Sequence, residues 1–515
     1  MAPRARPPTL APPAPARTGG LSVRPELTVD YVAGGMVESY LAGAGAPGGP
    51  DEAVRAGAVL PAYTAVLDVL DRLGTQELRA RAASRDDLAR RRGMTFPLPG
   101  SGQQQRLLPL DLVPRVVDPA EWALVARGLE QRARALGALL TDLAGPRECV
   151  AAGVVPAAQV PTAPQLAPHL PAGWAAAATV AGMDLLRDGS GRWRVLEDNL
   201  RVPSGLGYAV LVREVAAAAL PELEPGPRVA DPAAAVPLLL AALLAAAPAR
   251  ATANSALAVL SAGPGDSAYA EHRLLADRLD VPLVTPGSLR REGAGLAGPD
   301  GRVDVLYRRL DEEELAGARL GDGAPALATL TAAVRSGTLG LANALGTAVA
   351  DDKAVYACVP ALVGFFLGEQ PLLDDVRTFV LADPVAREEA LDRLDELVVK
   401  PVDGYGGRDV VFGAALGRCE LVALGDRLQR EPERWVAQEP VLATTHPTLA
   451  ADGASLQACS VDLRAFVVAG IDASGRPDPG GAVTLPAALT RVAPPGGRVV
   501  NSSRGGGAKD TWLPA

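Results

Sequence analysis

Hydrophobic residues along this chain follow two spacings, one typical of helices and one typical of strands. Val66, Val69 and Leu70 recur at helical intervals, which predicts an amphipathic helix before the charged stretch that begins at Arg79. Residues Val461–Val468 alternate instead, with polar side chains on one face and apolar side chains on the other, which predicts a half-buried strand. The chain is therefore expected to mix helices and sheets.

A strand–helix–strand rhythm occupies the middle of the chain. Ala256–Ser261 and Val281–Val284 are predicted strands, and the segment between them has a helical pattern. A third predicted strand ends in the arginine pair Arg308-Arg309. Together these elements predict a Rossmann-like parallel sheet that lacks the GxGxxG fingerprint of dinucleotide binding. Paired arginines bind carboxylates or phosphates, and a surface ion pair explains them equally well.

A glycine loop, Asp403–Gly407, lies between two apolar runs, Leu397–Val399 and Val410–Phe412, which predicts strand, loop and strand. Glycines let successive backbone N–H groups converge on an anion, and Lys400 adds a positive charge beside the loop. This arrangement suits a nucleotide triphosphate, and a glycine-rich hairpin with an exposed lysine is an equal alternative. The lysine precedes the glycines, so the loop is not a Walker A loop.

A second predicted hairpin, formed by Val180–Leu186 and Trp193–Leu196, carries three oxygen-bearing side chains. Glu197 and Asn199 lie two positions apart, so an extended chain points them to the same face, and Asp184 lies on the partner strand. Two carboxylates and an amide oxygen are hard ligands that suit Mg²⁺, which shares its remaining positions with water and phosphates. A polar strand end that leads into a turn explains the same residues without a metal.

Charged and polar residues also mark the ends of other predicted elements. Lys353 lies just inside a helix that Asp351 or Asp352 can cap. Trp435–Leu442 is predicted to be a strand that contains the polar pair Gln438-Glu439 and a proline. The remaining candidates are arginines on predicted strands and an asparagine before a second glycine loop: Arg464, Arg491 and Asn501.

Composition narrows the class of protein. The 515 residues are 48% hydrophobic, which predicts a globular chain. The net charge of −9 argues against an extended nucleic-acid surface and gives no indication of binding to an anionic membrane. The four cysteines and three histidines are dispersed, which argues against a disulfide scaffold and a histidine-based metal site. Residues 1–20 lack the apolar core of a secretory signal, so we expect a disordered tail and a cytoplasmic protein without a membrane span.

The set and order of these motifs resemble the circularly permuted ATP-grasp type 2 family, which is related to glutathionylspermidine synthase-like ligases. The resemblance spans roughly Thr28 to Trp512, and its most specific segments are VLEDNLRVPSG, VDVLYRRLD, LANALGTAVADDKAVYA, LVVKPVDGYGG, DLRAFVV and VVNSSRGGGAKDTW. In an ordinary ATP-grasp fold the metal ligands follow the phosphate-binding lysines. Here Asp184 and Glu197 precede the lysines, as a circular permutation implies.

The resemblance implies a site for ATP and Mg²⁺, with phosphates held by lysines and a glycine loop and adenine held by a linker strand. The residues then expected to bind the nucleotide are Lys353, Lys400, Gly404, Gly406, Gly407, Gln438, Glu439, Val441 and Asn501. Those expected to act in catalysis are Arg464, Arg491 and Lys400, and those expected to hold the metal are Asp184, Glu197 and Asn199.

The implied fold is α+β or α/β, a circularly permuted ATP-grasp fold with a Rossmann-like pre-ATP-grasp domain. The expected parts are a tail (1–25), an N-terminal region with the metal ligands (26–230), the Rossmann-like domain (231–340) and the region of the lysines, glycine loop and hinge (341–515). The implied activity is ATP-dependent joining of a peptide-like carboxylate to an amine through an acyl phosphate, with an alpha-E-type helical protein as partner. The alternative is a non-catalytic nucleotide-binding module that regulates a partner protein.

Overall fold

The structure is a computed structural model, and it describes nine segments of the chain. They are residues 35–44, 50–97, 105–157, 178–248, 255–404, 409–450, 453–497, 500 and 506–515.

Helices form where apolar residues recur at helical spacing, and several begin at a capping residue or a proline. Within the described segments they are α1 (Met36–Ala44), α2 (Pro61–Arg91), α3 (Pro119–Ala144), α4 (Glu148–Ala151), α5 (Leu206–Ala219), α6 (Ala235–Ala245), α7 (Tyr269–Leu279), α8 (Glu312–Gly317), α9 (Ala326–Arg335), α10 (Lys353–Tyr356), α11 (Val359–Leu362), α12 (Pro384–Asp392) and α13 (Arg418–Arg430). Asp118 caps α3 by accepting from the N–H groups of Ala120 and Glu121.

Most strands are short and contain β-branched or apolar residues that suit a buried sheet. They are β1 (Val54–Arg55), β2 (Ala58–Val59), β3 (Thr95–Pro97), β4 (Gln105–Leu107), β5 (Leu110–Val116), β6 (Val180–Arg187), β7 (Trp193–Asn199), β8 (Leu257–Leu260), β9 (Leu283–Val284), β10 (Arg290–Glu292), β11 (Gly295–Gly298), β12 (Gly301–Val303), β13 (Val305–Arg308), β14 (Gly340–Ala342), β15 (Asp374–Asp375), β16 (Thr378–Val380), β17 (Val398–Pro401), β18 (Val411–Phe412), β19 (Trp435–Gln438), β20 (Thr445–Leu449), β21 (Leu456–Ile471), β22 (Pro477–Val492) and β23 (Gly507–Trp512).

The central sheet is built around the long antiparallel pair β21 and β22. Its order is β15-β7-β6-β21-β22-β23-β5, and β20 also pairs with β21. The β7–β15 and β5–β23 pairs are parallel, whereas the other pairs are antiparallel. Strands from the early and late parts of the chain therefore lie side by side in one sheet, as the expected circular permutation requires.

The two faces of the central sheet are covered by different helices. Met183, Leu185 and Leu463 pack against α3 on one face, which buries a large apolar cluster. Phe466 and Val468 pack against α5 and α6 on the other face. The apolar cover on this second face ends near the start of α5, where charged side chains replace it.

Two smaller four-stranded sheets flank this region. The first, with the order β14-β13-β8-β9, is parallel and forms the expected Rossmann-like unit. The second, with the order β16-β19-β17-β18, is antiparallel and carries the predicted glycine hairpin. The mixed α/β fold class is confirmed, and the exact division of the chain into domains stays a prediction.

One strand is shorter than its sequence pattern suggests. The prediction of a strand over Trp435–Leu442 is wrong at its carboxyl end, because β19 stops at Gln438. Pro440 lacks the N–H group that a continuing sheet would use. In the segments that the structure describes, no helix is both long enough and apolar enough to cross a lipid bilayer.

Candidate active site

Five charged side chains line one face of the central sheet across four neighbouring strands. Directly opposite residues of antiparallel strands present their side chains on the same face. Asp184 lies opposite Glu197 of β7 and opposite Arg464 of β21. Asp462 lies opposite Arg491 of β22 and two positions from Arg464, so it shares that face. The strand register therefore assembles one charged row from distant parts of the chain, and Asp184 and Arg464, which are in contact within it, are 280 positions apart.

Asp184 lies within this row and is held by two arginines. Arg464 donates from Nε and Nη2 to its two oxygens at 2.6 and 2.7 Å, and Arg491 Nη2 lies 2.9 Å from Oδ2. Arg491 also donates to both oxygens of Asp462, at 2.8 and 2.6 Å. Burial by itself raises the pKa of Asp184, but the two guanidinium charges outweigh it and hold that pKa at about 2. Asp184 is thus ionised at neutral pH and orients both arginines.

Lys353 reaches the same region from helix α10. Asp352 caps this helix by accepting from the N–H of Ala354 at 2.7 Å. The Lys353 ammonium lies 3.0 Å from Glu197 Oε1 and donates to the Gly404 carbonyl at 2.6 Å. Lys353 therefore links strand β7 to the start of the glycine loop after β17.

Lys400 lies on β17 and is positioned by the neighbouring strand β19. Its ammonium donates to the side-chain oxygen of Gln438, and Gln438 donates from Nε2 to Thr378 Oγ1 at 2.8 Å. Burial lowers the pKa of Lys400 to about 8, and the charge of Lys353 adds to the lowering while the Glu197 carboxylate opposes it. Both lysines and Glu197 therefore share one electrostatic environment, and the side chain of Gln438 is used to hold Lys400.

Glu197 and Asn199 offer oxygen donors from the same face of β7. The Glu197 side chain is 30% exposed, and the Asn199 side-chain nitrogen is buried without a hydrogen-bond partner in the described segments. Their hard oxygens fit Mg²⁺, whereas the oxygens of Asp184 accept from arginines in this structure. Among the described residues, no group of three or more His, Cys, Asp or Glu side chains is arranged so that it could hold a metal ion. Metal ligation by Asp184, Glu197 and Asn199 stays a prediction.

The predicted adenine linker follows the end of β19. The N–H of Glu439 donates to the Arg377 carbonyl at 3.0 Å, and its carboxylate lies 3.4 Å from Arg377 and 3.3 Å from Arg393. Val441 is partly buried. Contacts of these two residues with adenine stay a prediction, as does the contact of Gly404 with phosphate. Three further predicted residues lie outside the described part of the chain: Gly406, Gly407 and Asn501.

Sequence reasoning missed a buried support beneath the charged row. Asp198 lies between Glu197 and Asn199 but faces the other side of the sheet, where Arg132 of α3 donates to both of its oxygens at 2.6 and 2.7 Å. Arg132 also donates to Asp375 at 2.7 Å. The sequence did contain one sign of this pair: an acidic residue at a position of a strand that faces the core needs a buried basic partner. The spacing within the strand does not say which arginine supplies it.

Comparisons with known proteins agree with this geometry. The circularly permuted ATP-grasp type 2 family matches residues 114–493. A Frankia alni protein with the provisional name glutamate–cysteine ligase 2-3 is 47% identical, over 97% of this chain and 57% of the relative. An uncharacterized Synechocystis protein is 36% identical, over 88% of this chain and 94% of the relative.

A solved structure shares the fold at low sequence identity. It is the apo form of a glutathione synthetase-like effector from Globodera pallida, with a TM-score of 0.57, 12% identity and coverage of 85% of this chain and 97% of that chain. This chain spans about half the length of the two Frankia relatives, 57% and 55%. The family match includes the whole charged row and both lysines. The chain therefore belongs to the circularly permuted ATP-grasp type 2 family.

Proposed function

We propose that the chain catalyses the ATP-dependent joining of a carboxylate to an amine. Membership of the family supports this activity, and the names of the two Frankia relatives specify glutamate and cysteine as the joined molecules. The observation that carries the proposal is the convergence of two lysines, two arginines and a carboxylate–amide pair at one face of the central sheet.

The four cations suit phosphoryl transfer. The transition state spreads negative charge over the γ-phosphoryl oxygens, and preorganised positive groups stabilise it. Lys353 and Lys400 hold the phosphates of ATP beside the glycine loop. Arg464 and Arg491 hold the transferring group and the substrate carboxylate. Because Asp184 already fixes both arginines, the site needs little reorganisation during the reaction.

The proposed reaction proceeds in two substitutions. A carboxylate oxygen of the substrate attacks the γ-phosphorus, the bond from this phosphorus to the β–γ bridging oxygen breaks, and ADP leaves an acyl phosphate behind. The amine nitrogen then attacks the acyl carbon, phosphate leaves with the electron pair of the C–O bond, and the amine loses a proton to water. Exclusion of bulk water from the site protects the acyl phosphate from hydrolysis.

Further predicted site residues are proposed to bind the metal ion and the adenine ring. Magnesium, when bound, neutralises charge on the phosphate oxygens. Glu197 and Asn199 would hold it through their side-chain oxygens, and Asp184 is the third predicted ligand. Backbone groups of Glu439 and Val441 bind adenine. The cytoplasmic location and the alpha-E-type partner stay predictions from the sequence.

An assay of ADP and phosphate release tests the proposal. The purified chain is incubated with Mg²⁺, ATP, L-glutamate and L-cysteine, and the joined product is identified by mass spectrometry. ADP formation that requires both the carboxylate and the amine supports ligation, and Glu197→Gln is the inactive control. Binding of ATP without turnover across a panel of carboxylates and amines overturns the proposal and favours a regulatory nucleotide-binding module.

A further inference from the structure

The carboxyl edge of the parallel sheet carries a second group of charged side chains. In the order β14-β13-β8-β9, the chain leaves β8 toward one side of the sheet and leaves β13 toward the other. Open parallel sheets bind ligands in the crevice that such a reversal creates. The loop 261–268 follows β8 at this edge. Arg308 is the last residue of β13, and Arg309 comes directly after it.

The two arginines of this pair have different roles. They are 0% and 4% exposed, so neither lies at the surface, and Arg308 forms an ion pair with Glu312 at 3.2 Å. Arg308 donates to three backbone carbonyls at 2.8 to 3.1 Å and is part of the fold. Arg309 donates to the Tyr307 hydroxyl at 3.2 Å, and its buried Nε has no hydrogen-bond partner among the described residues. A buried guanidinium with an unused donor is costly until a ligand completes its hydrogen bonds.

Two acidic side chains share the environment of Arg309. Asp266 accepts from the N–H of Ala268 at 2.7 Å and has a side chain that is 12% exposed. Glu271 accepts from the N–H of Gly205 through Oε1, and its buried Oε2 has no partner in the described segments. Burial raises the pKa of both carboxyls, and the Arg309 charge opposes the rise. The edge therefore carries a guanidinium and two carboxyl groups that interact electrostatically.

This charged edge adjoins the charged row of the central sheet. Arg464 donates to the Ser204 carbonyl at 3.2 Å, and Glu271 accepts from the N–H groups of Gly205 and Gly207 at 2.6 and 3.0 Å. The charge of Arg464 also lowers the pKa of Glu271 against the effect of burial. A molecule anchored at the edge of the parallel sheet therefore lies next to an arginine of the proposed reaction.

A hydrolytic role for the nearby histidine does not fit the geometry. Ser261 Oγ lies 2.9 Å from Nδ1 of His272, and Asp266 Oδ2 lies 3.9 Å from the same nitrogen. A Ser-His-Asp relay places its two partners on opposite ring nitrogens. Burial lowers the pKa of His272 to about 3, so the imidazole is neutral and serves to hold the loop.

We propose that this crevice binds the α-amino-acid head group of the carboxylate substrate, with Arg309 on its carboxylate and Asp266 on its ammonium group, while a second carboxylate reaches Arg464. The inference rests on the proposed function and names its substrate class. A planar guanidinium matches a carboxylate, and the adjacent acidic group matches the ammonium of a zwitterion. L-Glutamate carries all three groups and is the probe.

Calorimetric titration of the full chain with L-glutamate tests this site. Arg309→Gln is expected to raise the Kd for L-glutamate by about tenfold or more, through loss of a charge-assisted contact, and to leave the Kd for ATP unchanged. Asp266→Asn is expected to weaken binding of L-glutamate but not of glutarate, which lacks the ammonium group. Arg273→Gln is the matched control, because Arg273 is exposed on α7, and it should change neither affinity.

Absence of L-glutamate binding to the wild-type chain, or equal binding to Arg309→Gln, overturns the inference. Equal weakening of L-glutamate and glutarate by Asp266→Asn overturns the assignment of the ammonium group. If Arg309→Gln does not fold, Arg309→Lys keeps the charge and loses the planar fork, and unchanged binding to that variant also overturns the site. If L-glutamate binding depends on Arg309 but no ADP forms, the result supports the site and rejects the ligase activity. Failure of the inference and failure of the proposed function therefore give different results.

Discussion

The lowered pKa of Lys400 predicts that ATP affinity falls as the pH rises above neutrality. Burial brings this pKa from 10.5 to about 8. Bound phosphates favour the charged ammonium, so ATP binding above pH 8 must take up a proton. Between pH 7 and 9 the charged fraction falls from about nine-tenths to about one-tenth, so the Kd for ATP should rise about tenfold.

Equilibrium binding of a non-hydrolysable ATP analogue, measured at steps across this pH range, checks the prediction. Lys400→Arg is the matched control, because a guanidinium stays charged throughout the range. Its Kd will differ in absolute value, since Arg does not reproduce the contact with Gln438, but it should not rise with pH in the same way. Titration of the nucleotide's own phosphate affects both proteins and cancels in the comparison.

An equal rise of Kd with pH in the wild-type chain and in Lys400→Arg would refute the reasoning. A wild-type Kd that stays constant between pH 7 and 9 would refute it as well. A constant Kd would mean either that Lys400 keeps its proton up to pH 9 or that it does not contact the phosphates, and only the second case would leave Lys353 as the single lysine of the phosphate site.

Four further variants test other parts of the site. Glu197→Gln should lower ADP formation by orders of magnitude while a binding assay still detects ATP, and full turnover would contradict a role for this carboxylate in holding the metal. Val441→Ala should leave the Kd for ATP nearly unchanged, whereas Val441→Pro removes the N–H and should raise it by about tenfold or more; equal effects would argue against the hinge. Asp198→Asn removes one partner of a buried ion pair with Arg132 and should lower the free energy of unfolding by roughly 3–5 kcal/mol in a denaturant titration. A loss below about 1 kcal/mol, typical of an exposed pair, would show that the pair is not a support.

Local patterns in the sequence determined several elements before any tertiary information. The helical spacing of Val66, Val69 and Leu70 predicted a helix, which lies within α2, and the apolar runs Val180–Leu186 and Trp193–Leu196 predicted the hairpin of β6 and β7. The two-residue spacing of Glu197 and Asn199 predicted their common face. Each of these features depends on residues within a few positions of one another, which a sequence displays directly.

The motifs also predicted the family, because their order along the chain is more specific than any single motif. Lys353 and Lys400 belong to two such segments, and the hairpin of Asp184 belongs to a third. The family assignment is confirmed by the match over residues 114–493. The individual roles of these residues stay predictions.

Only the tertiary structure decided which partners the charged groups contact. The sequence predicted Asp184 as a metal ligand, which stays a prediction, and gave no sign that Arg464 and Arg491 contact it, because the register of β6, β21 and β22 brings all three to one face. The sequence predicted that Gln438 contacts the nucleotide, which stays a prediction, and did not show that its side chain also accepts from Lys400, because β17 and β19 are neighbours.

Even for the adjacent residues Arg308 and Arg309, the sequence does not show which groups each side chain contacts. Arg308 and Arg309 are adjacent and chemically identical, but Arg308 donates to backbone carbonyls of the fold, whereas the buried Nε of Arg309 has no hydrogen-bond partner among the described residues. Strand pairing between distant segments and the competition among buried donors and acceptors decide such outcomes. Both depend on the packing of the whole molecule, so no local pattern records them.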